Sequence, residues 1–175
     1  HKNFKDYLKS KLYLFEKLIK KKGNIITDSN ISQRNKIEKI SLKKKINLNL
    51  IFNKKRGIEV ITHEYLNEKQ ILKVKYKNKE YDIILNLIGK IQINNILMTI
   101  LAAIKSGLNI KKIIEIIHKI KPVEGRLEKI GNIKNNSKVI LDYAHTPAAL
   151  KLALINLKEQ FPSSKISLVF GCGGN

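Results

Sequence analysis

Tryptophan is absent, cysteine occurs once and proline three times. With Cys172 alone no disulfide can close within the chain, which fits a reducing compartment and a cytoplasmic location. No apolar run approaches the roughly 20 residues that span a bilayer, so no membrane helix is expected. The start, His1-Lys2-Asn3-Phe4, is polar, carries no secretory pattern and lacks Met. Together with an end inside glycines, it leads to the expectation of an internal piece of a longer chain. A G-x-x-x-x-G-K-[ST] phosphate loop is missing throughout. Arginine is scarce, at positions 34, 56 and 126 only, and acidic residues number 14 against 35 Lys and Arg.

The resulting net charge of +21 raises the question of nucleic-acid binding. The basic residues are nearly all lysine and spread along the whole chain, and no recognisable motif interleaves them with aromatics. Weak adhesion to polyanions is expected from such a surface; specific nucleic-acid recognition is not. The 175 residues suffice for one domain or parts of two, and 43% hydrophobic content allows a packed core.

Residues 4–22 read as an amphipathic helix. At about 100° per residue Phe4, Tyr7, Leu8, Leu14, Phe15, Leu18 and Ile19 share one face. Gly23 and Asn24 stop it. Residues 25–27 are a short strand candidate, and Asp28, Ser29 and Asn30 offer caps for a polar helix over 31–43. Strands are expected over 46–52, 58–62, 71–76 and 81–87, with a hairpin turn between Tyr76 and Tyr81. Ile93, Ile96, Leu97, Ile100, Leu101 and Ile104 mark a helix that ends at Gly107. Asn109 caps another over 111–119, closed by Pro122.

A new unit is expected to begin near residues 122–125. Strands are predicted over 126–130 and 138–141 around a polar turn, then a helix over 147–161 and a strand over 166–170. The predicted division is therefore 1–122 and 123–175. Asp142-Tyr143-Ala144-His145-Thr146-Pro147 lies at the expected end of a parallel strand, where open α/β sheets bind ligands. Asp142 there can accept a hydrogen bond from a ribose hydroxyl, and His145 can donate to phosphate or transfer a proton. Equally, Asp142 and Thr146 can be turn and cap residues with Pro147 in the first helical turn. His145 has no partner at metal-ligand spacing. Gly171-Cys172-Gly173-Gly174 lets backbone approach a ligand or makes a tight turn, and no base is identifiable beside Cys172. Lys11 falls inside the apolar face of the first helix. A cation there must be paired, neutralised or modified, or else snorkel from its edge.

Three motifs in order, Val123-Glu124-Gly125-Arg126-Leu127-Glu128, Asp142 to Pro147, and Val169-Phe170-Gly171-Cys172-Gly173-Gly174, resemble those of the Mur ligases. Among these they are most similar to the branch that adds the third amino acid to UDP-N-acetylmuramoyl-L-Ala-D-Glu. The segment from His1 to Phe15 resembles an upstream stretch of the same enzymes, with Lys11 matching their carbamylated lysine. Leu87-Ile88-Gly89 to Asn95 resembles their Gly-x-Phe-Asn-x-x-Asn pattern, with Ile91-Gln92 in place of Phe-Asn.

The resemblance implies an α/β fold: the later part of the central ATPase domain, then the start of a Rossmann-like C-terminal domain. It implies an ATP-dependent amide ligase of peptidoglycan precursor synthesis, acting through an acyl phosphate. Its substrates would be UDP-MurNAc-L-Ala-D-Glu and a diamino acid, meso-diaminopimelate in the first instance, with ATP and Mg²⁺ as cofactors. Neither nucleic acid nor membrane is an implied partner, and a monomer is. Lys11 as carbamate would hold Mg²⁺ and serve catalysis with His145; Asn95, Arg126, Asp142 and His145 would contact ATP.

Overall fold

Residues 3–171 are described by a computed structural model. Helix α1 (Phe4–Tyr13) runs into a π-helical turn (Leu14–Leu18) and stops earlier than its sequence suggests, because Ile19 turns to extended backbone. Strand β1 (Asn24–Asp28), helix α2 (Arg34–Lys44), and strands β2 (Asn47–Ile51), β3 (Gly57–Leu66), β4 (Lys69–Tyr76) and β5 (Lys79–Leu85) follow. Then come helices α3 (Ile91–Lys105) and α4 (Ile110–Ile117), strands β6 (Glu128–Ile133) and β7 (Ser137–Leu141), and helix α5 (Pro147–Gln160).

Among the described residues β1 to β5 form one sheet in sequence order, and β6 and β7 another. The pairs β1–β2 and β2–β3 are parallel; β3, β4 and β5 form an antiparallel meander. Both meander turns hold two residues of positive φ, Asn67-Glu68 and Lys77-Asn78, the twist that two-residue hairpins require. Strand β4 shows the expected alternation, with Gln70, Leu72, Val74 and Tyr76 turned inward.

The main core lies between this sheet and α3. Leu97, Ile100 and Leu101 are fully buried against Ile51, Ile58, Leu72 and Val74. Each such side chain contributes about 1.5–3 kcal/mol by leaving water. A smaller cluster on the β1–β2 side joins Ile25, Ile37 and Ile46 to Leu12, Phe15 and Ile19.

Four sequence expectations change. The stripe of the first helix is not buried as a unit: Phe4, Tyr7, Leu14 and Leu18 stay exposed, and the contact runs through Leu12, Phe15 and Ile19. Asp28, Ser29 and Asn30 do not cap α2, whose N-cap position is Gln33. The Asp28 carboxylate is already engaged by the Asn30 amide and by Asn94. Strand β7 ends a ladder that is antiparallel, not parallel. The apolar run 166–170 has no strand partner among the described residues, and Ile166, Leu168, Val169 and Phe170 are exposed. Residues 172–175, with the rest of the glycine motif, lie outside the described residues, as do His1 and Lys2.

Gln70 is completely buried in the inward row of β4. Its Nε2 donates to the carbonyls of Leu87 and Gly89, at 2.9 and 3.1 Å, leaving Oε1 to accept from His63 Nε2 at 3.0 Å. Burial pushes the His63 pKa below its ordinary 6.5, and the charge of Lys90 adds to this against the opposing Gln70 bond. The unfolded chain therefore binds the proton more readily than the folded one. Stability is full above pH 6.5 and falls as the pH drops from there through the folded pKa. Urea midpoints at pH 7.5 and 5.5 should show this loss, and His63→Phe should flatten it; an equal slope in the variant would assign the effect elsewhere.

Candidate functional site

The chain reverses sharply after α4, and Gly125 and Leu127 both take positive φ. Three backbone-directed bonds hold this reversal. Asp142 Oδ2 accepts from the Leu127 amide at 2.9 Å, Tyr143 N donates to the Gly125 carbonyl at 2.8 Å, and Gly125 N donates to Glu128 Oε2 at 2.9 Å. The other Asp142 oxygen accepts from Ala144 N at 2.9 Å. Asp142 is thus a turn organiser. A carboxylate has about four lone-pair sites, so two remain for a ligand.

Around Asp142 opens a cavity of about 360 Å³. Helix α3 contributes Gln92 and Asn95, the reversal contributes Val123, Arg126 and Leu127, and α5 contributes Ala149, Leu152, Ala153 and Asn156. Gln92 Nε2 donates to the Arg126 carbonyl at 3.2 Å, and Asn95 Nδ2 donates to Gln92 Oε1 at 3.2 Å. The exposed Arg126 guanidinium lies 5.4 Å from the centre of the Tyr143 ring. The walls are apolar with a few converging amides, one carboxylate and one guanidinium, the composition of a small-molecule site. The amides and carboxylate can read a sugar or base edge, and the guanidinium can meet a phosphate.

Of the residues singled out in the sequence, Asn95, Arg126 and Asp142 line this cavity together, with Gln92 beside them. His145 does not. It is exposed, with its Nδ1 3.1 Å from the Tyr143 carbonyl and its ring edge-on to Tyr143 at 5.4 Å. Thr146 caps α5 by accepting from Ala149 N at 3.2 Å, with Pro147 in the first turn. Lys11 is absent from the cavity lining and exposed, its Nζ 5.4 Å from the Tyr7 ring centre.

Sequence reading overlooked Asn156, which lines the cavity, and Gln160, one helical turn further along α5 and outside the lining. Both are buried, at 4% and 5% exposure; Gln160 reaches across to Gly89 in the loop before α3 and Asn156 to Ile91, the first residue of α3. Their signal was present: two amides four residues apart share one helix face, a costly arrangement unless partnered.

Residues 125–175 match the family model described as Mur ligase, glutamate ligase domain. A UDP-N-acetylmuramoyl-L-alanyl-D-glutamate–2,6-diaminopimelate ligase from Rickettsia montanensis is 32% identical over the whole of this chain, which spans 36% of that protein. A solved structure of a ligase of the same name superposes over the whole chain, and over 36% of its own length, at TM-score 0.73 and 21% identity. An FPGS–AMPPCP complex superposes over 86% of this chain and 37% of its own, at TM-score 0.67 and 18% identity.

Proposed function

Because the chain belongs to the Mur ligase family, we propose that the full-length protein is an ATP-dependent amide ligase acting on UDP-MurNAc-L-Ala-D-Glu. The incoming amino acid would be meso-diaminopimelate, as in the name of the Rickettsia relative. In this reading ATP transfers its γ-phosphoryl group to the D-Glu carboxylate. The amine of the diamino acid then attacks the acyl phosphate, forming the amide and releasing phosphate, with ADP as the other product. Such an activity on a nucleotide-linked precursor belongs in the cytoplasm, and no helix of the described residues is long and apolar enough to cross a membrane.

The observation that carries the proposal is the meeting of Asn95, Arg126 and Asp142, distant in sequence, around one cavity. We assign that cavity to the nucleoside end of ATP. Asp142 and Asn95 would hold ribose and base, and Arg126 a phosphate; His145, at the rim of the same turn, would approach the γ-phosphate. The two units meet there, residues 1–122 as the later part of the central domain and 123–175 as the opening of the next. That an analogue of ATP sits in a structural neighbour supports the choice of nucleotide.

Mg²⁺ belongs to the same proposal, and its chemistry would be neutralisation of charge between phosphate and carboxylate. Among the described residues no three His, Cys, Asp or Glu side chains converge as a cation site. Mg²⁺ is usually held through one or two protein oxygens beside phosphate and water, so a single anionic group would fit it. Lys11, as carbamate, would supply one oxygen ligand.

Phosphate release by the full-length protein tests the reading, with ATP, Mg²⁺ and UDP-MurNAc-L-Ala-D-Glu, and meso-diaminopimelate and L-lysine in parallel. Release that depends on meso-diaminopimelate is expected. Release with lysine alone would change the substrate, and none with either, from folded protein, would overturn the assignment. Residues 1–175 alone, without a phosphate loop, should bind ATP only weakly by titration calorimetry.

A further inference from the structure

We propose that Asn156 and Gln160 are positioning residues: they latch α5 to the loop entering α3 and so hold the two walls of the cavity together. Assigning the cavity to a nucleotide rests on the reading above; the latch itself rests on geometry. Gln160 Oε1 accepts from the Gly89 amide at 2.8 Å, and its Nε2 donates to the Glu68 carbonyl at 2.7 Å. Asn156 Oδ1 accepts from the Ile91 amide at 3.1 Å, while its Nδ2 donates to Leu152 within the helix at 2.8 Å.

The bonds to Gly89, Ile91 and Glu68 join residues 65 to 92 apart in sequence. The amides at the start of a helix lack partners in the helix, and Lys90 caps α3 with no side-chain bond. The cap arrives instead from α5. Helix α3 carries Gln92 and Asn95 into the cavity, and α5 carries Leu152, Ala153 and Asn156, so the two amides tie one wall to the other.

Gly89 makes the approach possible. Its φ is +89°, and a Cβ there would meet Leu127 Cδ1 at 2.5 Å and Asn156 Oδ1 at 3.2 Å. From the opposite side Gln70 fixes the Gly89 carbonyl. Glu68 also pairs with Lys138 and Lys129, at 3.1 and 3.2 Å, and these lysines hold its carboxyl below the usual range. A loosened latch populates arrangements with the walls apart. Apparent affinity then falls by the fraction of molecules still competent.

The test uses the full-length protein with Asn156→Leu and Gln160→Met, near-isosteric changes that leave the Ile91 and Gly89 amides unpaired. The KM for ATP should rise about 10-fold or more, with kcat at saturating ATP within about twofold. Amide hydrogen exchange at Gly89 and Ile91 should quicken by a similar factor. Asn156→Asp keeps an oxygen for Ile91 but sets the other against the Leu152 carbonyl, and should raise the KM severalfold. Where Gln160→Met fails to fold, Gln160→Glu keeps the Gly89 bond, sets an oxygen against the Glu68 carbonyl, and should raise the KM severalfold. An unchanged KM in folded variants would overturn the positioning role, as would a loss confined to kcat. Unchanged exchange at both amides would overturn the latch. A parent protein that fails to bind ATP would remove the nucleotide reading, and the exchange rates would still decide on the latch.

Discussion

Turnover of the full-length protein is expected to fall by about 100-fold or more in Lys11→Ala, the scale of losing one charged group that acts on a transition state. Its folding should hardly change, within about 0.5 kcal/mol. No residue of α1 is buried, Lys11 itself is exposed, and its one described partner is the Tyr7 ring at 5.4 Å. Alanine and lysine are both good helix formers. The proposed carbamate forms when the neutral amine adds CO₂ and loses a proton, which turns a cation into an anion. Lys11→Arg keeps the positive charge and cannot follow that chemistry, so it should be as inactive as the alanine variant. Added acetate or formate should restore part of the activity of Lys11→Ala by supplying a carboxylate in its place. Parental phosphate release by Lys11→Ala would end the proposal, and activity in Lys11→Arg would leave only a cation's role.

The largest effect on stability is expected from Gly57→Ala, about 3 kcal/mol or more by urea unfolding. Gly57 opens β3 and pairs in parallel with Leu50 of β2, although only residues 52–56 connect the two strands. Parallel neighbours ordinarily need a much longer crossover. The short connection closes because Leu50 N donates to the Arg56 carbonyl and Asn53 N donates to Ile58, both at 3.1 Å. Backbone meets backbone there: an added Cβ would fall inside the Leu50 carbonyl oxygen, which no side-chain movement can relieve. Leu50, Ile51 and Ile58, all fully buried, would shift with it. A midpoint within 0.5 kcal/mol of the parent would show that the two strands can part at little cost.

Much of this architecture was legible in the sequence because it is local. The stripe from Ile93 to Ile104 is a helix with that face in the core, Asn109 and Thr146 are caps, and the turn at Lys77-Asn78 is where alternation breaks. Two misreadings share one cause. The apolar runs at 4–18 and 166–170 have the right period for a buried helix face and a strand, yet both are left largely open. Periodicity says which side chains could be covered; it carries no information about what covers them. The direction of β7 was invisible for a related reason, since a strand's sequence does not name its neighbour.

The site divides in the same way. Asn95, Arg126 and Asp142 could be named from sequence because each sits in a recognisable local motif. Sequence alone also determined that a disulfide within the chain is impossible, that no apolar run in it is long enough to cross a bilayer as a helix, and that the basic charge is dispersed. Only the tertiary structure decided that those three residues share one cavity while His145 and Lys11 stay outside its lining. It also decided that Asp142 holds the Leu127 and Ala144 amides, and that Asn156 and Gln160 close the junction. The physical reason is that a buried amide acquires its role from the backbone groups it must satisfy. Here those groups, on Glu68, Gly89 and Ile91, belong to a hairpin, a loop and a helix start far away in sequence.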